Sequence, residues 1–232
     1  MANFLEVITY ASFGGIIPCL FWLIFWLRED EKRHEPAQLI LACFIAGMIM
    51  TLLVFPFQFL VTLIFSEGSL TTITAWSFIE EIGKFIAFYL VALRNPRIHA
   101  PIDLVIYMIA VALGFAALEN TLYLIAPLSQ GDALTSIITG NLRFIGATLL
   151  HTLASAIIGV FMAFALYKSE RIKEEFALIG ILCAGVLHTL FNFFILNGSG
   201  TKILLVFTTI WFLIMALIIV LEKVKTISIK NT

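Results

Sequence analysis

The stretch LVIYMIAVALGFAALENTLYLI, residues 104–125, decides the fold class of this chain. Residues 104–118 carry no charged side chain, and Glu119 then interrupts an otherwise apolar run. At a rise of about 1.5 Å per residue, a helix of this length crosses the roughly 30 Å hydrocarbon core of a bilayer. The stretch therefore predicts a transmembrane helix that carries one carboxylate and one amide, Glu119 and Asn120.

Six further apolar runs of similar length flank this one along the chain. The 232 residues are 61% hydrophobic and 12% charged, whereas soluble domains carry about 25% charged residues. We therefore expect an all-α, polytopic bundle of about seven transmembrane helices, built as a single integral membrane domain over residues 1–232. Pro56 predicts a kink or tilt in the second helix. The predicted helices are 4–27, 37–65, 73–93, 104–125, 144–167, 176–196 and 203–221.

Charge and cysteine content exclude several classes of partner. The net charge of −1 gives no strongly basic face for nucleic acid. Cys19, Cys43 and Cys183 are scattered in apolar runs without a CxxC pair, which favours packing roles over a disulfide framework or a zinc site. The expected surroundings are the lipid bilayer and other membrane proteins.

The basic residues predict how the chain is oriented in the membrane. Eleven of the 14 Lys and Arg residues fall in alternate loops or in the C-terminal tail, which the positive-inside rule assigns to the cytoplasm. We therefore expect the N-terminus outside and the C-terminus in the cytoplasm. Only Lys202 and Arg143 fall on the outer side, and Lys84 lies within the third segment. The eleven are Arg28, Lys32, Arg33, Arg94, Arg97, Lys168, Arg171, Lys173, Lys223, Lys225 and Lys230.

Polar and ionisable residues inside four of these segments are the candidate functional residues. An ionisable group in a transmembrane helix costs several kcal/mol, so its presence indicates a function. The candidates are Glu80, Glu81 and Lys84 in the third segment, Glu119, Asn120 and Tyr123 in the fourth, His151 and Ser155 in the fifth, and His188 and Asn192 in the sixth.

The predicted depths of these residues agree with one another. Counting from the outer ends of their segments places Glu80, Glu119, His151 and His188 about 9 to 12 Å below the outer surface. Spacings of i,i+4 further align polar residues on one face of each helix. Four helices are therefore expected to direct polar groups into one site within the outer leaflet.

Four short motifs on these segments carry a family resemblance. They are EExxK at 80–84, FxxxEN at 115–120, HxxxS at 151–155 and HxxxN at 188–192. Together they resemble the PrsW family of intramembrane proteases and, more distantly, the CAAX prenyl endopeptidase superfamily. Asn192 departs from the PrsW pattern, which usually ends in Asp, whereas Lys84 and Glu119 match PrsW rather than the Arg and His usual in the CAAX branch.

The resemblance implies an enzyme of a prokaryotic cytoplasmic membrane. Such an enzyme cleaves a membrane-anchored protein near the extracytoplasmic face. The best-known substrate in the family is a single-span anti-sigma factor, whose cleavage is the first step of stress signalling. The resemblance therefore leads us to expect the same membrane, activity and substrate class for this chain.

Hydrolysis of a peptide bond requires an activated water, a stabiliser for the oxyanion and an acid for the leaving amine. The sequence contains no apparent Ser-His-Asp arrangement or catalytic Cys, so Glu80 or Glu81 is the candidate general base. We expect His151 and His188 to polarise the carbonyl or protonate the amine, and Asn192 to support the oxyanion. A glutamate-activated water without a permanent metal is the preferred hypothesis.

Zinc is the alternative cofactor. Glu and His are suitable zinc ligands, and Glu80, Glu81, Glu119, His151 and His188 are the candidates for holding it. HExxH is absent from the sequence, so metal dependence is open at this point.

Three other functions are compatible with buried carboxylates and histidines. A proton-coupled transporter uses such groups as a relay, although the sequence shows no inverted repeat or paired broken helices. His151 and His188, which lie on two different helices, are also candidate axial ligands of a haem. The third alternative is a scaffold in which the polar residues only secure helix packing.

Overall fold

The computed structural model describes residues 3–28, 36–96, 98 and 100–227. These residues form eight α-helices, two of which are prolonged by five-residue π-helical segments at Tyr89–Leu93 and Arg143–Ala147. Of the residues behind the orientation prediction, Lys32, Arg33, Arg97 and Lys230 lie outside the described part. The helices are α1 (Phe4–Leu27), α2 (Ala37–Thr62), α3 (Leu70–Phe88), α4 (Pro101–Ser129), α5 (Ala133–Leu142), α6 (Thr148–Ala165), α7 (Glu170–Leu196) and α8 (Gly200–Lys225).

The prediction of an all-α bundle is confirmed. Because α3 runs into its π-helical segment, and α5 joins α6 through the other, the described residues form seven continuous helices. Six of these are long and apolar enough to span a membrane. The seventh, which contains α3, is less apolar because it carries Glu80, Glu81 and Lys84, all three of which are buried against other helices.

α1 has its predicted bounds and begins at Phe4, where Asn3 and Glu6 exchange hydrogen bonds in a capping box. Several other helices extend beyond their predicted ends. α4 starts three residues earlier than expected because Pro101 fits the first turn of a helix. The fifth predicted segment lengthens most, since Asp132 caps α5 through the backbone N–H of Thr135.

Helix α4 is the centre of the bundle. In its most apolar 18-residue stretch 94% of the residues are buried, against 17% for α8. Helices α1, α2 and α6 pack directly on α4, while α3 lies between α2 and α7. Exposed Leu, Ile and Phe side chains cover the outer helices, as expected of a surface that faces lipid. This arrangement places the polar faces of α3, α4, α6 and α7 toward one another.

The crossing of α2 and α4 depends on two glycines. A Cβ at Gly47 would overlap the carbonyl oxygen of Val111, and a Cβ at Gly114 would overlap that of Phe44. Beside this crossing, Thr51 donates a hydrogen bond of 3.1 Å to the carbonyl of Phe115. Small residues permit such close helix approach in membrane proteins, and here they fix the position of α4 relative to α2.

We expect Gly114→Ala to destabilise the protein by about 1–3 kcal/mol, because the added methyl group forces the two backbones apart. The measurement is thermal unfolding of the purified protein in detergent. Gly200→Ala is the matched control, since a Cβ at Gly200 meets no atom within 4 Å. Equal stability of the two variants would contradict the assigned role of the crossing.

Candidate active site

Helix α3 carries the most buried part of the site. The Glu81 carboxylate is 0% exposed. Its Oε1 accepts hydrogen bonds from Lys84 Nζ at 2.7 Å and from His188 Nδ1 at 2.9 Å, and its Oε2 accepts one from Ser155 at 3.3 Å. Side chains from α3, α6 and α7 therefore converge on this single carboxylate.

The neighbouring carboxylate, Glu80, is differently placed. Adjacent residues on a helix diverge by about 100°, so Glu80 faces a cavity while Glu81 lies behind the cavity wall. Gln58 of α2 donates a hydrogen bond of 2.9 Å to Glu80 Oε1. The other oxygen, Oε2, is buried and accepts no hydrogen bond from the described residues. It lies 3.8 Å from both Lys84 Nζ and His188 Nε2.

His151 is held at both ring nitrogens. Lys84 Nζ lies 2.7 Å from Nδ1, and Glu119 Oε2 lies 2.8 Å from Nε2. Because an ammonium can only donate, Nδ1 is the acceptor and Nε2 carries the hydrogen that is donated to Glu119. Lys84 also lies over the ring of Phe115, 4.4 Å from its centroid. The Lys84 ammonium thus links Glu81 to His151.

His188 completes the cluster from α7. Its ring packs edge-on against that of His151, with centroids 5.0 Å apart. Since Nδ1 donates to Glu81, the tautomer leaves a lone pair on Nε2, which is the nitrogen nearer to Glu80. A histidine oriented by a carboxylate in this way is typical of catalytic and metal-binding sites.

The cluster borders a cavity of about 700 Å³. Glu80, Glu119, His151, His188 and Asn192 line it, and aromatic and aliphatic side chains supply most of the remaining wall. The cavity reaches the surface near exposed Glu67, between α2 and α3. That end of the bundle is the one predicted to be extracytoplasmic.

The donor set of Glu80, His151 and His188 fits a divalent metal ion. One ligand atom from each residue lies within 4.8 Å of the others, and two nitrogens with one oxygen make a common set for catalytic zinc. Two of the atoms are available as they stand, namely Glu80 Oε2, which has no hydrogen-bond partner among the described residues, and His188 Nε2. His151 would have to exchange one of its two hydrogen bonds in order to bind.

The structure brings together all five residues predicted as catalytic: Glu80, Glu81, Glu119, His151 and His188. Their chemical roles stay predictions. Of the supporting residues, Lys84 and Ser155 contact Glu81, Asn120 bonds Thr148 at 3.0 Å, and Asn192 lies on the cavity wall one turn beyond His188.

Sequence reasoning missed two residues of the cluster. The charge distribution puts Arg143 on the outer side with Lys202, yet Arg143 forms an ion pair with Glu119, 2.5 Å from Nη2 to Oε2. Gln58 is the second, and the sequence signal for it is an amide within an apolar segment, which indicates an interhelical hydrogen bond. No feature of the sequence indicates the π-helical turn that begins at Arg143.

Comparison with known proteins relates the sequence of this chain to one family. The profile of the PrsW family of intramembrane metalloproteases matches residues 35–221. The Protease PrsW of Oceanobacillus iheyensis is 30% identical over 91% of this chain and 93% of its own length. That of Shouchella clausii is 29% identical, over 93% and 95%, and that of Geobacillus kaustophilus is 27% identical, over 79% and 78%. No solved structure matches the chain.

Proposed function

The chain belongs to the PrsW family of intramembrane metalloproteases, and on that premise we propose that it cleaves a membrane-anchored protein near the extracytoplasmic face. It is an integral membrane peptidase of a prokaryotic membrane. The observation that carries the finer proposal is the meeting of carboxylates and imidazoles from α3, α4, α6 and α7 at one cavity. Within the family, we propose a single-span anti-sigma factor as the substrate class.

We assign contact with the reacting water to Glu80 rather than Glu81. Glu80 Oε2 borders the cavity and has no hydrogen-bond partner among the described residues, so it can accept a proton. Both oxygens of Glu81 already accept hydrogen bonds from Lys84, His188 and Ser155. Glu81 is therefore the residue that orients His188 and neutralises Lys84.

His151, His188 and Asn192 are the cavity residues that we propose contact the peptide. His151, His188 and Glu80 all line the cavity, and we propose that the scissile carbonyl lies in the cavity beside them. The Nε2 hydrogen of His151 is donated to Glu119, which holds the imidazole at the cavity wall beside the oxyanion and the leaving amine. The amide of Asn192, one helical turn from His188, supplies a donor to the oxyanion.

We propose that Glu80, His188 and His151 hold a divalent metal ion, in keeping with the metalloprotease description of the family. When bound, the ion would lower the pKa of the attacking water and polarise the carbonyl. We prefer this metal-dependent route to the metal-free hypothesis that the sequence favoured. Without a metal, Glu80 contacts the attacking water; with a metal, Glu80 contacts the ion that binds this water.

The test of the function is co-expression with a panel of single-span membrane proteins, followed by detection of cleavage products. An authentic substrate should be cut in its juxtamembrane segment on the extracytoplasmic side. Uptake or proton flux in vesicles without any cleavage would favour the proton-coupled transporter instead.

Metal removal gives a separate prediction. After rigorous chelation of the purified enzyme, we expect at least a ~100-fold loss of cleavage, because a catalytic ion lowers the activation barrier by several kcal/mol. Adding back Zn²⁺ should restore cleavage, whereas Mg²⁺, which prefers oxygen ligands, should not. Unchanged cleavage in the metal-free protein would return the reaction to a water activated by Glu80 alone.

A further inference from the structure

Arg143, which is not among the predicted site residues, contacts three residues of α4. Its Nη2 lies 2.5 Å from Glu119 Oε2, and its Nε lies 2.5 Å from the side-chain oxygen of Asn120. The guanidinium also stacks on Tyr123, 4.0 Å from the ring centroid. The planar fork of Arg suits such two-point contact better than the point charge of Lys does. Arg143 thus donates hydrogen bonds to two consecutive residues of α4.

A π-helical turn puts Arg143 in this position. Arg143 precedes His151 by eight residues, a separation of about 80° around a regular α-helix. The segment Arg143–Ala147 is π-helical, and such a bulge absorbs one extra residue without advancing the helical phase. The separation then falls to roughly 20°, so Arg143 and His151 share one face of the continuous helix. Both can therefore reach Glu119.

The same carboxylate oxygen joins Arg143 to the imidazole. Glu119 Oε2 is bonded to Arg143 on one side and to His151 Nε2 on the other. Asn120, which Arg143 also holds, bonds in turn to Thr148 at the start of α6. The orientation of the Glu119 carboxylate is therefore set jointly by α4 and by the π-helical turn.

We propose that Arg143 is a positioning residue for catalysis, which fixes Glu119 so that Glu119 holds His151 in its reactive orientation. This inference rests on the proposed proteolytic function. It assigns to Arg143 an effect on the rate of the chemical step and no direct contact with the peptide. An interfacial arginine that only anchored the helix at the lipid headgroups would not need the ion pair with Glu119.

The test compares Arg143→Gln with Arg143→Lys in purified enzyme acting on a cleavable membrane-anchored substrate. We expect Arg143→Gln to lower kcat by about 10- to 100-fold, the range for residues that orient a ligand or catalytic group, with KM changed less than about threefold. Arg143→Lys should recover part of kcat, because it keeps the charge but loses the fork. Lys202→Gln, an exposed cation at the same end of the bundle, is the matched control and should behave as the unaltered enzyme.

A double variant gives the decisive comparison. If Arg143 acts through Glu119, then Arg143→Gln combined with Glu119→Gln should be no slower than Glu119→Gln alone. Losses that multiply, a change confined to KM, or an unchanged kcat in Arg143→Gln would each overturn the proposal. Should Arg143→Gln fail to fold, Arg143→Lys with and without Glu119→Gln gives the same test.

Failure of this inference is separable from failure of the proposed function. If Glu80→Gln abolishes cleavage while Arg143→Gln leaves kcat unaltered, the site stands and only the role of Arg143 is wrong. If Glu80→Gln retains full cleavage, the proposed site itself is wrong.

Discussion

Glu80→Gln is expected to lower the rate of substrate cleavage by about 10²- to 10⁴-fold, the range for loss of a general base. The reason is the position of Glu80 Oε2, which lies at the cavity wall with no hydrogen-bond partner among the described residues. An amide has the same shape and can still accept the hydrogen bond from Gln58 through its oxygen. It cannot accept a proton from water, and its NH₂ group is not a metal ligand.

The measurement is the initial rate of cleavage in detergent or proteoliposomes, alongside thermal unfolding of each variant. We expect Glu80→Gln to unfold close to the unaltered protein, because no hydrogen bond to Oε2 is lost. Glu175→Gln is the control, since this exposed carboxylate of α7 pairs with exposed Arg171. Full activity of Glu80→Gln on an authentic substrate would remove the assignment of Glu80.

Lys84→Met is expected to cost about 3–5 kcal/mol of stability and to abolish cleavage. The Lys84 ammonium is 0% exposed and lies 2.7 Å from both Glu81 Oε1 and His151 Nδ1. Removing one partner of a buried ion pair leaves the other as an uncompensated charge, which is more costly than removing both. The variant also removes the donor that fixes the tautomer of His151.

The double variant Glu81→Gln with Lys84→Met separates stability from catalysis. Since both buried charges are removed, we expect it to regain much of the lost stability and to remain inactive. Thermal unfolding and cleavage are measured on the same preparations, with Lys202→Met as the exposed control. A Lys84→Met protein as stable as the unaltered one would show that Lys84 does not compensate Glu81.

The candidate site was predictable to a large extent, because the membrane makes polar residues conspicuous. Glu119 stands out in 104–125 because an ionisable group must have a partner in order to remain in an apolar helix. The same reasoning selects His151 and His188, and all three border one cavity in the structure. Their common depth could be estimated because the helical rise is constant.

Other parts of the site depended on rotation about the helix axes. Glu80 and Glu81 are equivalent in sequence, and only the packing of α3 between α2 and α7 determines that Glu80 faces the cavity. Gln58 belongs to the site because α2 places it 2.9 Å from Glu80. Long-range contacts of this kind have no local signature, since side chains on separate helices meet only after the bundle has formed.

The sequence by itself determined that the chain is a bundle of apolar helices, and it predicted carboxylates and imidazoles at one depth. Hydrophobic length, charge exclusion and helical periodicity are local properties, so they can be read residue by residue. The tertiary structure alone decided which oxygen of which glutamate has no hydrogen-bond partner among the described residues, and that Arg143 turns inward to Glu119. Those outcomes depend on helix rotation and on one π-helical turn, where a shift of a single residue rotates a side chain by about 100°.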